Sequence, residues 1–425
     1  MTRAARSARA HPRIGPLVAG TGTEPALDVD AILDDPDQRI IVCCGAGGVG
    51  KTTTSAALAL RAAERGRKVV VLTIDPARRL AQAMGIEALD NVPRPVPGVI
   101  STGSQSDLLD ASSTGSTTGK PRGGSLDAMM LDMKRTFDEV VESQASPEKA
   151  AQILANPFYV AVSSSFAGTQ EYMAMEKLGQ LDQDARRTGR WDLIVVDTPP
   201  SRSALDFLDA PERLAGFLDG RFMRLLLAPA KGPARLMTAG FGLVTNALTR
   251  IIGAQVLRDM QTFVTAFDTL FGGFRQRAQR TFELLQADGT AFLVVAAPEP
   301  DALREAAYFV ERLKEERMPL AGLVVNRASR PPEGDLSADR AMAGVERLRA
   351  AGEMSSAAEM TAGLLRLHAD RVRVVERETR LRRSFATSHP DVATAVLPAL
   401  ATDVHDLDGL RTIGDLLARS AGAGG

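Results

Sequence analysis

The stretch Gly45-Ala46-Gly47-Gly48-Val49-Gly50-Lys51-Thr52 narrows the folds open to this chain more than any other segment. It follows the apolar run Ile40-Ile41-Val42-Cys43-Cys44 and precedes the helix-forming segment Thr52 to Gly66. A strand, a glycine-rich turn and a helix in that order make a phosphate loop. The glycines let backbone N–H groups turn toward an anion, and the helix N-terminus adds the positive end of its dipole. The backbone of Gly45, Gly47, Gly48, Val49 and Gly50 would cradle phosphates, with Thr53 in the first helical turn behind them. Lys51 would neutralise β- and γ-phosphates, and the Thr52 hydroxyl would ligate Mg²⁺.

Short β-branched runs recur at Val69–Ile74, Leu193–Val196, Phe292–Ala297 and Leu323–Val325, with a weaker one at Val392–Leu397. Helical patterns lie between them. Continuous apolar strands alternating with helices predict a mostly parallel sheet covered on both faces, an α/β fold of the P-loop NTPase type. Residues 1–38 read as a disordered, arginine-bearing tail, residues 39–417 as the main domain and 418–425 as a second tail. The Ser/Thr/Gly-rich stretch 101–125 reads as a flexible loop. Residues 126–189 and 211–287 read as helical insertions forming a subdomain. In the first, Leu126, Met129, Met130, Met133, Phe137 and Val140 recur at helical steps. The second is rich in Leu, Phe, Val and Met.

Two aspartates close strands. Asp197 ends the run in "WDLIVVDTPPS", where a phosphate-bound Mg²⁺ needs a carboxylate partner. Asp75 follows the strand Val69–Ile74. The carboxyl ends of parallel strands gather at the ligand edge, so Asp75 could activate an attacking water. It could equally cap a helix with Pro76 at its first position. Spacing alone does not separate these. No guanine-reading Asn/Thr-Lys-x-Asp motif follows a later strand. Asn326 in "LVVNRAS" stands in that kind of position, which favours adenine.

Composition excludes several classes. With 51 basic and 52 acidic residues the net charge is −1, which argues against a nucleic-acid coat. Aromatics are 4%, too few for base-stacking platforms. The arginine-rich segment Leu364 to Arg383 reads as a solvated helix face. The chain has two cysteines, Cys43 and Cys44, whose side chains on a strand point to opposite faces. They suit neither one disulfide nor one metal, and a reducing, cytoplasmic setting is expected. No run of about 18 apolar residues predicts a membrane span.

At these motifs the chain resembles the ArsA-like ATPases, a family of arsenite pumps and tail-anchored-protein targeting ATPases within the deviant-Walker group that includes MinD and ParA. The resemblance runs from about Arg39 to Leu417. "GGVGKTT" is shared by the whole group. "DPARRLAQAMG" looks like the family's switch I and "DTPPSRSALDFLDAP" like its switch II; "AAPEPDALREAAYFVERL" and "GLVVNR" look like its later strands. The resemblance implies that Asp75 is the catalytic aspartate, that Asp197 meets Mg²⁺ through water, and that Asn326 reads adenine. It further implies that the loop from Pro398 closes over the base, and that ATP and Mg²⁺ drive closure of a dimer. An apolar helix or protein client is the implied cargo.

The departures are equally informative. The family's second-position lysine is Ala46 here. A homodimer could hydrolyse slowly without it, a related partner could supply it in a heterodimer, or Arg202 could stand in. Arg202 and Ser203 replace the usual Gly-His of switch II. Metalloid-binding cysteines and a Cys-x-x-Cys zinc site are absent from the sequence. Two other classes stay open: a MinD- or ParA-like positioning ATPase, for which "LDGLRTIGDLLARS" would be the membrane helix, and a kinase.

Overall fold

The computed structural model describes residues 25–75, 79–99, 123–157, 159–160, 169–199, 276–350 and 355–420. Eight strands form one sheet among them: β1 Ile40–Gly45, β2 Lys68–Thr73, β3 Arg94–Pro95, β4 Ser125–Met130, β5 Leu193–Asp197, β6 Thr290–Ala296, β7 Leu320–Ala328 and β8 Thr394–Pro398. Their order is β3-β4-β2-β5-β1-β6-β7-β8. The strands pair in parallel throughout, except that the two-residue edge strand β3 is antiparallel to β4. This is the α/β architecture expected of a P-loop NTPase.

The helices are α1 Val29–Asp34, α2 Lys51–Glu64, α3 Arg79–Ala83, α4 Met133–Gln144, α5 Pro147–Leu154, α6 Thr169–Thr188, α7 at residues 276–285, α8 Pro300–Glu315, α9 Ala338–Ala350, α10 Ser356–Ser388 and α11 Leu407–Ser420. Strand alternation sorts the core into two layers. Ile40, Val42 and Cys44 join one cluster with residues of α4, α6 and α8, whereas Ile41 and Cys43 join another with α1, α2 and α11. The two cysteines therefore face opposite sides of the sheet, as their adjacency requires. Burial drives both thiols' pKa upward, Cys43 to about 12.

Helix α2 is Ala-rich and buried along nearly its whole length. It stops where Gly66 adopts φ 101°, with Gly66 N–H donating to Ala63 and Arg67 N–H to Ala62. Glycine is required there because the left-handed turn is costly for residues with a Cβ.

Three boundaries differ from the sequence reading. Residues 25–38 are not tail: Ala26 bridges to Thr394, and Leu27, Val29 and Leu33 are buried. Residues 418–420 extend α11, whose leucines bury against α2. Residues 125–130 form a strand rather than the start of a helix. Leu126 and Ala128 face one core cluster and Met129 the other, a period of two that the three- and four-residue spacing concealed. The helical insertion then starts at Met133, capped by Asp132, whose carboxylate accepts from Arg135 N–H. Residues 101–122 of the Ser/Thr/Gly stretch, and 211–275 of the second insertion, lie outside the described residues.

Candidate nucleotide site

The sheet brings the sequence candidates to one edge. Gly45 ends β1, Asp197 ends β5, Asp75 follows β2, Asn326 lies near the end of β7 and Pro398 ends β8. Because these strands are parallel, all these positions sit at carboxyl ends, the edge at which α/β sheets bind ligands.

The loop from Gly45 to Gly50 needs its glycines. Gly45, Gly48 and Gly50 have φ of 143°, 76° and 97°. A Cβ on Gly45 would lie 2.1 Å from the Val295 carbonyl oxygen, and one on Gly50 would lie 2.2 Å from Asn326 Nδ2. Gly50 is the N-cap of α2 and offers no side chain to its first amides. Those amides are left for an anion. Lys51 is buried and donates to the Gly45 and Ala46 carbonyls at 2.9 and 2.8 Å. Burial lowers its pKa, opposed by the charges of Asp197 and Asp75. Thr52 and Thr53 are half-buried in the first turn of α2.

Asp197 anchors a small oxygen network. Its Oδ2 accepts from Thr52 Oγ1 and from Thr73 Oγ1, both at 2.8 Å. Thr73 Oγ1 in turn accepts from the Asp75 N–H at 3.3 Å. Asp197 is fully buried and its Oδ1 has no partner. Burial raises its pKa to about 6 against the two threonine hydrogen bonds and the charge of Lys51. A hydroxyl and a buried carboxylate with one orphaned oxygen form the hard-oxygen donor set that Mg²⁺ takes. Thr52 and Asp197 therefore fit that ion. Thr73 was not singled out from the sequence; its place at the end of β2, two residues before Asp75, was the available signal.

Asn326 is buried against the loop. Its Nδ2 donates to the Val49 carbonyl at 2.8 Å and its Oδ1 accepts from the Arg327 N–H at 2.9 Å. One N–H and one lone pair of the amide remain for a ligand. Pro398 is half-buried and pairs with Ala328, next to this segment. Asp75 is half-buried beside Thr73, while Pro76, Ala77 and Arg78 fall outside the described residues, as do Arg202 and Ser203. The helix-cap alternative for Asp75 and the stand-in role for Arg202 both rest on those residues.

A cleft of about 300 Å³ opens beside the loop, lined by Ala46 to Val49, Arg327 and four carboxylates: Glu299, Asp301, Glu305 and Glu378. That charge balance repels a polyphosphate. The C-terminal helix α11 buries Leu410, Ile413 and Leu417. Its apolar face is thereby occupied, so it offers no free stripe for a membrane. No helix among the described residues is long and apolar enough to cross one.

A strand-loop-helix phosphate cradle, backed by a buried strand-end aspartate on a parallel sheet, defines a P-loop nucleotide-binding protein. The sequence pattern of the anion-transporting ATPases matches residues 38–97 and 99–342, and the chain belongs to that family. It is an ATPase of that family. It is 24% identical over 366 residues to the ATPase ARSA1 of Chlamydomonas reinhardtii, covering 78% of this chain and 43% of that protein. It is 25% identical over 323 residues to the ATPase GET3B of Arabidopsis thaliana, covering 74% and 70%. It is 26% identical over 306 residues to the ATPase GET3 of Malassezia globosa, covering 71% and 76%. The chain thus spans less than half of the algal relative's length and about three quarters of the fungal one's.

Proposed function

We propose that the chain is a Mg²⁺-dependent ATP switch whose hydrolysis cycle opens and closes a dimer around a client-handling helical subdomain. The observation that carries this reading is the Thr52–Asp197–Thr73–Asp75 network beside Lys51. It ties the oxygen set suited to a metal, through the backbone N–H of residue 75, to the position that carries the candidate water-activating carboxylate. Lys51 leaves the Gly45 and Ala46 carbonyls for the β- and γ-phosphates. Asp75 orients a water toward the γ-phosphorus and takes its proton as the bond to the ADP oxygen breaks. Thr52, and Asp197 through water, would hold a Mg²⁺ ion, which would supply positive charge to the phosphate oxygens. Asn326 offers the adenine its remaining amide N–H and lone pair, and the segment from Pro398 covers the base.

The test is phosphate release alongside nucleotide binding. Asp75→Asn is expected to bind Mg·ATP as the wild type does and to release phosphate roughly a hundredfold more slowly or worse. Lys51→Ala is expected to lose binding. An Asp75→Asn protein that turns over at the wild-type rate would remove Asp75 from the reaction.

The acidic cleft favours a related second reading, in which a partner ATPase supplies the missing cation. The cleft is lined by Ala46 and by Glu299, Asp301, Glu305 and Glu378. Its carboxylates would attract a basic surface of a facing subunit, whose lysine or arginine would then reach the phosphates from across the interface. The apolar client is supported by the Met- and Phe-rich composition of residues 211–287, since methionine suits variable apolar partners. A cytoplasmic setting and the absence of a nucleic-acid partner belong to the same proposal.

A further inference from the structure

Two neighbouring carbonyls of the phosphate loop are held by two neighbouring side chains. Asn326 Nδ2 donates to the Val49 carbonyl at 2.8 Å, and Arg327 Nη1 donates to the Gly48 carbonyl at 2.9 Å. A regular strand could not deliver both, because successive side chains project to opposite faces. The chain solves this with a bulge. Val325 pairs with Val396 and Ala328 with Pro398, so β7 carries one residue more than β8 across this interval. Within it Arg327 adopts φ 61°, a left-handed conformation that an arginine enters only when its surroundings hold it there.

A trans peptide points its C=O and the following N–H in opposite directions. Pinning the Gly48 carbonyl toward β7 turns the Val49 N–H away from it, and pinning the Val49 carbonyl does the same for the Gly50 N–H. We propose that Arg327 is a positioning residue that presets the Val49 amide for a nucleotide phosphate, working beside Asn326. This rests on the ATP reading above and deepens it. The loop would then meet ATP with two amides already aligned, and the left-handed turn at Arg327 is the cost of that alignment. Arg327 acts on binding of either ATP or ADP, through the loop, and not on the bond-breaking step.

The experiment measures Mg·ADP affinity, kcat and KM for ATP, and melting temperature in Arg327→Ala, Arg327→Gly and Arg327→Lys. Arg327→Ala is expected to raise the Kd and KM on the order of tenfold, the effect of losing one charge-assisted hydrogen bond, with kcat nearly unchanged. Arg327→Lys should recover most of the affinity, since the bond uses one donor. Arg327→Gly separates function from folding: it relieves the left-handed strain, so its melting temperature should hold or rise while its affinity falls. Affinity and melting temperature falling together in Arg327→Gly would overturn the proposal in favour of a purely structural role. An unchanged Kd in Arg327→Ala would overturn it outright. A wild-type protein that binds no Mg·ADP or Mg·ATP would instead overturn the nucleotide reading on which it rests.

Discussion

At the scale of single residues, Asp197 shows how a fully buried carboxylate sits uneasily in an apolar surrounding. Its pKa lies at about 6 rather than 3.8 because burial outweighs two hydroxyl donors and a lysine. Between those values the folded chain holds a proton that the unfolded chain has released. This group's contribution to stability therefore grows as pH falls through about 6 and levels off below about 4. Above pH 6 the ionised form costs on the order of 2–3 kcal/mol. In nucleotide-free protein, Asp197→Asn is expected to be more stable than wild type at about pH 7.5, with the gain shrinking toward pH 4.5. Urea unfolding at the two pH values reads this directly, and a pH-independent difference would contradict it. The same variant should lose Mg²⁺-dependent phosphate release.

At the scale of elements, Arg67 closes a helix end that would otherwise leave carbonyls unpaired. It donates to the Leu33 and Asp35 carbonyls at the C-terminus of α1, to Gln38 O, and to Asp192 ahead of β5. Arg67→Met should keep the stem and lose the donors, destabilising by about 2–3 kcal/mol. Chemical unfolding measures it, and a change under about 0.5 kcal/mol would show that water replaces the guanidinium. The element also explains a misreading. Nothing local marks Leu27, Val29 and Leu33 as core, because their partners lie hundreds of residues downstream, around Thr394 and α11. The strand β4 was legible only as an alternation, with Asp127 on the face where it accepts from Trp191 Nε1 and Arg190. Helical spacing of Leu126, Met129 and Met130 fitted the same letters equally well.

At the scale of the whole molecule, the proposed switch predicts a change in mass. The Asp75→Asn protein, which should trap bound ATP, is expected to form a dimer with Mg·ATP and to revert with Mg·ADP. Light scattering behind a sizing column reads both states. A monomer under both conditions, with binding confirmed, would move the weight to a cation-bearing partner ATPase that the cleft beside Ala46 could receive. Helix α9 packs on α10, whose Glu378 lines the cleft and accepts from Ser329, so this helix pair is the element that such a closure would carry.

The strand-loop-helix cradle, the parallel sheet and the strand-end aspartates followed from sequence alone. Each is a local arrangement whose chemistry needs particular residues at particular spacings: glycines for positive φ, a lysine and a threonine at the helix start, a carboxylate after an apolar run. What only the tertiary structure decided were the contacts made across the sheet. Thr73 reaches Asp197 because β2 and β5 are neighbours in register. Arg327 reaches Gly48 because a bulge turns one strand residue the wrong way. Neighbours in the sheet are chosen by packing over the whole chain, and that choice leaves no mark at the individual residues it brings together.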